Sequence, residues 1–339
     1  MGNQKPLAGI SIGDINGVGP EVILKTFSDL NLFDDCVPIV YGSAQILKTH
    51  QKRLTIPSIE LNVIKDESEV QEGILNVLEL DLAVPELSIG QDTPEGGSFA
   101  LASFEAAVDS LAKGSIDILI TSPLNKHNVR LPGFKGHTGY LADKFGADNS
   151  LMIMSSDELK VALVTGHVPL RQVASLISQE LILKKLHIFN SALIDDYGIA
   201  NPKIAVLGLN PHAGDGGLIG DEEIQSISKA IKIAKDQGIH ANGPISADGF
   251  FGSKSYRYYD GVLAMYHDQG LIPFKVIAFE NGVNFTAGLH VVRTSPAHGV
   301  AYDIAGKNKA SSSSFNKALI LACDILSRRR EQLVSSDKY

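Results

Sequence analysis

The sequence predicts an α/β protein of largely parallel sheets with helices packed on both faces, and three observations carry that prediction. Short β-branched runs recur along the chain, glycine-containing loops follow them, and amphipathic stretches of helical spacing lie between. Such alternation is the pattern of βαβ units, whose crossover helices cover a parallel sheet. A chain of 339 residues is too long for one small domain, so two domains or one large α/β unit is implied. With 44% hydrophobic and 20% charged residues, and glycine and proline dispersed, the chain is expected to fold throughout.

Taken in order, the strand-like runs are LAGISIG (7–13), VPIVYGS (37–43), IDILITSP (116–123), LKVALVTGH (159–167), KIAVLGLNPH (203–212) and DGVLAMYH (260–267). Between the last two, residues 221–237 place Ile224, Ile227, Ile231 and Ala234 on one helical face. The serine run 311–314 reads as a helix entry, because Phe315, Leu319 and Ala322 continue at helical spacing. Arg328, Arg329 and Arg330 follow that apolar pattern, where cations complement a helix C-terminus. No internal repeat and no Pro- or Ser-rich linker marks a boundary.

Composition narrows the function. Lys plus Arg number 30 against 38 Asp plus Glu, a formal charge of −8, which argues against general affinity for nucleic acid or anionic membrane. Cys36 and Cys323 are far apart in sequence and each lies in an apolar setting, as expected of buried reduced thiols without a disulfide framework. The N-terminus has no signal-like apolar segment, Pro6 stands where a myristoylation motif needs Ser or Thr, and no apolar run reaches transmembrane length. A cytoplasmic location is the expectation.

The chemistry gathers at strand ends. VALVTGH ends in His167, IAVLGLNPH in His212 and GVLAMYH in His267, and ligands of open α/β sheets bind just outside the carboxyl ends of strands. Three imidazoles delivered there suit one divalent ion with an open position, while a lone strand-end histidine is an ordinary turn residue. Asp268 and Asp248 are candidates to orient an imidazole or support the site, with helix or turn capping as the alternative. His137 and Thr138 open a helix-like pattern whose free N–H groups attract phosphate. Lys275, Asn284 and Arg293 punctuate apolar segments, where a cation seeks a counter-charge unless it is simply solvated. Neither GDINGVGPE (13–21) nor GDGGLIGDEE (214–223) spells a dinucleotide fingerprint or a P-loop.

GDINGVGPE, TSPLNKH, GHTGYLA, GHVPLRQV, GLNPHAGDGG, YDGVLAMYHDQGLIPFK, GVNFTAGL and RTSPAHGVAYDIAGKNKA occur in the order found in the 4-hydroxythreonine-4-phosphate dehydrogenase family, which the chain resembles from about residue 7 to its final helix. The resemblance implies two α/β/α subdomains of the isocitrate/isopropylmalate dehydrogenase type, not a standard Rossmann fold, with the active site in a cleft between them. It places residues 1–125 with 285–339 in the first subdomain and 126–284 in the second. It implies NAD-linked (or NADP-linked), metal-dependent oxidation of 4-phosphooxy-L-threonine at C3, followed by decarboxylation to 3-amino-2-oxopropyl phosphate in vitamin B6 biosynthesis. His167, His212 and His267 match the family's metal ligands, for zinc, cobalt or magnesium. His137, Thr138, Lys275, Asn284 and Arg293 match its substrate contacts, and Asp248 and Asp268 its supporting aspartates. The loop 298–307 resembles a cofactor loop, with His298, Gly299, Ala301 and Asp303 toward NAD, although Val300 replaces the usual small hydroxyl residue. A homodimer sharing its active site is implied as well. The competing expectations are a paralogue acting on D-threonate or D-erythronate 4-phosphate, and a non-catalytic metal- or phosphate-binding protein.

Overall fold

The computed structural model describes residues 5–129, 131, 133, 134, 136–146 and 150–336. The backbone divides into two units, residues 1–147 with 290–326 and residues 148–289 with 327–339. The first holds strands β1 (Leu7–Ser11), β2 (Val37–Gly42), β3 (Leu61–Ile64), β4 (Leu75–Glu79) and β5 (Ile118–Thr121), with helices α1 (Gly19–Phe27), α2 (Ala44–Gln51), α3 (Pro94–Lys113) and α4 (His137–Lys144). The second holds β6 (Leu151–Ser155), β7 (Lys160–Leu163), β8 (Lys203–Leu207), β9 (His240–Ile245), β10 (Gly261–Ala264) and β11 (Val283–Ala287). Its helices are α5 (Leu170–Leu176), α6 (Gln179–Asp195), α7 (Ser228–Asp236), α8 (Ala247–Gly252) and α9 (His267–Ala278). The chain then returns to the first unit with β12 (Val292–Pro296) and enters the terminal helix α10 (Ser313–Ser336).

In the first unit the strands run β3-β4-β2-β1-β5-β12, all parallel. Every residue of β2 and β5 is buried, which is why their sequences are continuous apolar runs without alternation. Thr93 starts α3 by accepting from the Gly96 N–H, Pro94 follows where no donor is needed, and Gly114 at φ 74° ends it. Phe99, Phe104, Ala107, Val108 and Leu111 of α3 face the core. The first unit extends past residue 125 to 147 because α4 packs on α3: the His137 ring lies 4.6 Å from that of Phe104, and Lys144 Nζ is 2.7 Å from Asp109.

The second unit runs β11-β6-β7-β10-β8-β9. The strands β7, β10, β8 and β9 are parallel, as the sequence pattern leads one to expect, but β6 is antiparallel to both its neighbours. The turn from β6 to β7 is closed by the Ser156 N–H on the Leu159 carbonyl at 2.9 Å, and so short a connection joins only antiparallel strands.

The serine run does open a helix, α10, but that helix does not stop at the arginines. Glu331, Gln332 and Leu333 are good helix formers that carry it on to Ser336, so Arg328 and Arg329 do not cap a terminus. They meet Asp196 instead, Arg329 Nε lying 2.7 Å from its carboxylate and Arg328 donating to its carbonyl. Cys36 and Cys323, distant in sequence, are neighbours in the first unit, and the hydrogen bond to Cys323 together with burial pushes the Cys36 thiol well up. Among the described residues no helix is long and apolar enough to cross a membrane.

Candidate active site

Strands β7 and β10 deliver two histidines to one place. Beyond their paired segments the ladder continues, Val164 N–H donating to the Ala264 carbonyl at 2.8 Å and Thr165 N–H to that of Met265 at 3.1 Å. The Thr165 hydroxyl reinforces the second bond at 2.7 Å. His167 and His267 therefore stand together, ring centroids 5.4 Å apart. Two imidazoles on one tetrahedral ion, with metal–nitrogen bonds of about 2.0 Å, stand with ring centres roughly 5 Å apart, so the pair fits a shared divalent ion. His267 Nδ1 lies 2.7 Å from Asp268 Oδ1, which leaves Nε2 for a ligand, an arrangement common around metal-bound histidine.

His212 is not gathered with that pair: among the described residues no three His, Cys, Asp or Glu side chains converge to hold a metal ion. It follows β8 on a turn of left-handed backbone, with φ of 53° at His212, 51° at Ala213 and 44° at Asp215. Each non-glycine residue so held costs about 1–2 kcal/mol, a strain typical of functional loops. Asp248, in the first turn of α8, lies within electrostatic reach of His212. The Ser246 hydroxyl and the Gly249 N–H hold its carboxyl below the usual carboxylate range, with the charge of His212 adding to them.

Sequence reasoning passed over a residue that ties these strand ends together. Gln269 accepts from the Met265 N–H at 2.7 Å and donates to the Gly208 carbonyl at 2.6 Å, joining the exits of β10 and β8. Its only signal in the sequence is its place in the HDQG stretch. Lys275 is exposed in the last turn of α9, and Asn284 Oδ1 in β11 is buried without a hydrogen bond among the described residues.

The first unit holds a basic cluster. Arg293, on β12, is 2% exposed, and its Nε and Nη2 donate to the Thr121 hydroxyl at 3.1 and 2.5 Å. Burial pushes the guanidinium down to about 9. His137 begins α4 after Gly136, with Thr138 next in the same first turn, where N–H groups lack helical partners. Its Nε2 is buried without a hydrogen bond among the described residues, and burial, then the charges of Arg293 and Lys126, hold the ring well below its ordinary range. Lys126, which the sequence did not single out, passes so close to Gly136 (φ 100°) that a Cβ there would lie 2.7 Å from its Cε. Two cations, a neutral imidazole and a helix N-terminus together suit a phosphate.

The loop 298–307 is pinned in the same unit. The Val18 N–H donates to the Val300 carbonyl at 3.0 Å, while Glu21, fully buried, accepts from the Gly306 and Ala310 N–H groups at 3.2 and 3.0 Å. The Tyr302 hydroxyl donates to Asp14 at 2.7 Å, and burial raises the Asp14 carboxyl. Val300 packs against Gly17, where a Cβ would meet its Cγ1 at 2.3 Å, so an apolar residue in place of a hydroxyl has a packing role. Ala301 sits at φ 49°, His298 Nε2 is buried without a hydrogen bond among the described residues, Gly299 has open space beside its Cα, and Asp303 is exposed.

Comparison with known proteins bears on this constellation. Residues 34–322 match the family model described as "Pyridoxal phosphate biosynthetic protein PdxA". A 4-hydroxythreonine-4-phosphate dehydrogenase of Bacteroides thetaiotaomicron is 48% identical over 98% of this chain and 92% of its own. A relative from Oceanobacillus iheyensis, provisionally named a D-threonate 4-phosphate dehydrogenase, is 38% identical over 95% of this chain and 98% of its own. The crystal structure of 4-hydroxythreonine-4-phosphate dehydrogenase from Klebsiella pneumoniae superposes with a TM-score of 0.82 at 34% identity, covering 96% of this chain and 99% of that one.

Proposed function

Because the chain belongs to the PdxA family of pyridoxal phosphate biosynthetic proteins, we propose that it oxidises 4-phosphooxy-L-threonine at C3 with NAD, giving 2-amino-3-oxo-4-phosphooxybutanoate, which decarboxylates to 3-amino-2-oxopropyl phosphate. The observation that carries the reading beyond the family is the pair His167 and His267, spaced for one ion and with Asp268 on the far nitrogen of His267.

His167, His212 and His267 would hold a divalent ion, zinc before cobalt or magnesium given three nitrogen donors, which would supply a Lewis acid for the C3 oxygen, and a nicotinamide would supply the hydride acceptor. The chain's own groups do the rest. Arg293, His137, Thr138 and Lys126 suit the phosphate, and binding energy spent there, away from C3, orients the reacting carbon. The neutral state of His137 makes it a hydrogen-bond partner and leaves the charge to the two cations. Lys275 and Asn284 are assigned as further substrate contacts, the Asn284 carbonyl having a free buried acceptor to offer. Asp268 orients His267, and Asp248 supports the neighbourhood of His212. His298, Gly299, Ala301 and Asp303 are assigned to the dinucleotide on a loop that Glu21, Tyr302 and Val300 hold in place. The active form is a homodimer, a reading favoured by the apolar stripe Ile272, Val276 and Phe279 exposed along α9, which starts at His267.

The test is formation of NADH or NADPH from 4-phosphooxy-L-threonine, with and without chelator, beside D-threonate and D-erythronate 4-phosphates. Turnover of the amino acid that chelation abolishes and added metal restores is the expected outcome. The Oceanobacillus relative makes turnover of the sugar acids alone the rival result; a site built to bind an ammonium group rejects its hydroxyl analogue strongly. Silence on all three with metal present would leave a binding protein in place of an enzyme.

A further inference from the structure

The turn that presents His212 is wrapped around a carboxylate the proposed reaction does not use. Glu223 is 3% exposed, and its Oε1 accepts from the Leu209 N–H at 2.7 Å and the Asn210 N–H at 2.8 Å. Its Oε2 accepts from the Asn210 side-chain amide at 2.9 Å, which is also 2.7 Å from Glu222. Glycines make the approach possible. A Cβ on Gly214 would lie 2.6 Å from Glu223 Oε2, and one on Gly208 would lie 3.1 Å from Oε1.

Left-handed backbone from His212 to Gly216 cannot be held by the ladder of a strand or an ordinary helix. The carboxylate takes up the N–H groups just before that segment, and its side chain fills the space the glycines leave. Removing it would release the residues that aim His212 while leaving β8 and α7 intact.

We propose that Glu223 is a positioning residue: its carboxylate fixes the turn carrying His212 and thereby sets the affinity of the chain for a divalent ion. This rests on the reading of His212 as a metal ligand, and the experiment separates the two. Cobalt(II) is titrated into chelator-stripped protein, followed by calorimetry and by the visible absorption of the bound ion, for wild type, Glu223→Gln, His212→Ala and the double variant. Glu223→Gln keeps the size of the side chain but removes its charge and replaces one of its two acceptor oxygens with an amide donor. Its cobalt affinity should fall roughly 10- to 100-fold, with the melting temperature in chelator held near that of wild type. The double variant should bind no more weakly than His212→Ala, because Glu223 acts only through that histidine. Wild-type affinity in Glu223→Gln, or equal losses in both backgrounds, overturns the proposal. Wild-type affinity in His212→Ala sinks the ligand reading itself and the proposal with it. Should Glu223→Gln fail to fold, Asn210→Ala removes one partner of the same carboxylate and should lower affinity in the same direction; an unchanged affinity there counts against the proposal.

Discussion

Arg293 is the residue whose replacement should speak most directly about substrate. Its guanidinium is buried on β12 and directs both Nε and Nη2 at Thr121, a use of the planar fork that an ammonium cannot reproduce. Arg293→Lys should raise KM for the phosphorylated substrate roughly 10- to 100-fold, the equivalent of charged hydrogen bonds worth about 1.5–3 kcal/mol, and change kcat much less. Steady-state kinetics decide it; an unchanged KM would remove Arg293 from the phosphate site. At this scale the sequence was informative where chemistry sits directly after an apolar run. His167 and His267 each follow a strand-like run legible in the sequence, whereas the pairing of β7 with β10 that brings the two rings together is seen only in the structure. The sequence was silent about residues whose role is a bond to a remote segment. Gln269 reaches Gly208 across 61 positions, and Glu223 reaches Leu209 across 14, distances over which no local pattern survives.

The helix α9 carries several of these roles at once. His267 and Asp268 open it, Gln269 anchors its first turn, and Ile272, Val276 and Phe279 lie exposed along it at helical spacing, 61%, 82% and 71% accessible. A stripe of that kind beside a candidate site is the surface a second copy would cover. Val276→Asp should convert a dimer into a monomer, because a carboxylate buried at such a contact costs several kcal/mol without a partner. Sedimentation velocity on both proteins checks this, and a wild-type monomer would refute the dimer outright. The apolar run that ends at Tyr266 gives way at once to α9, which begins at His267. Among the strands that the sequence pattern did not single out is β6. Strand β6, LMIMS, has one isoleucine, and its antiparallel direction follows from a turn whose hydrogen bonds no periodicity records.

For the molecule as a whole, the acid side of its stability is set by histidines folded away from water. Burial lowers His50, His137 and His298 below the ordinary imidazole value, all three in the first unit. The unfolded chain then binds more protons than the folded one as pH falls below about 6.5, so stability is lost in that direction and regained on raising the pH. Asp14 and Asp196, raised by burial, act in the opposite sense nearer pH 4. The melting temperature should therefore drop between pH 7.5 and 5.5, and His50→Gln should flatten the slope. His50 is the variant to use, since its Nε2 meets the Ile15 carbonyl at 2.8 Å and it has no assigned role toward substrate. A slope that survives the substitution unchanged would absolve His50. The α/β character was readable from the alternation of runs and the expectation of two subdomains came from the family resemblance, but the boundary after α4 was not legible, because it depends on His137 and Lys144 packing back on α3. The interleaving of the chain has one more consequence, which concerns birth and not function. Strand β12 pairs with β5, and the Arg293–Thr121 bond spans 172 positions. All six strands of the second unit are synthesised in between. A nascent chain leaving the ribosome can thus pair β6 to β11 while β5 still shows an open edge, and that edge stays open to neighbours until β12 has followed.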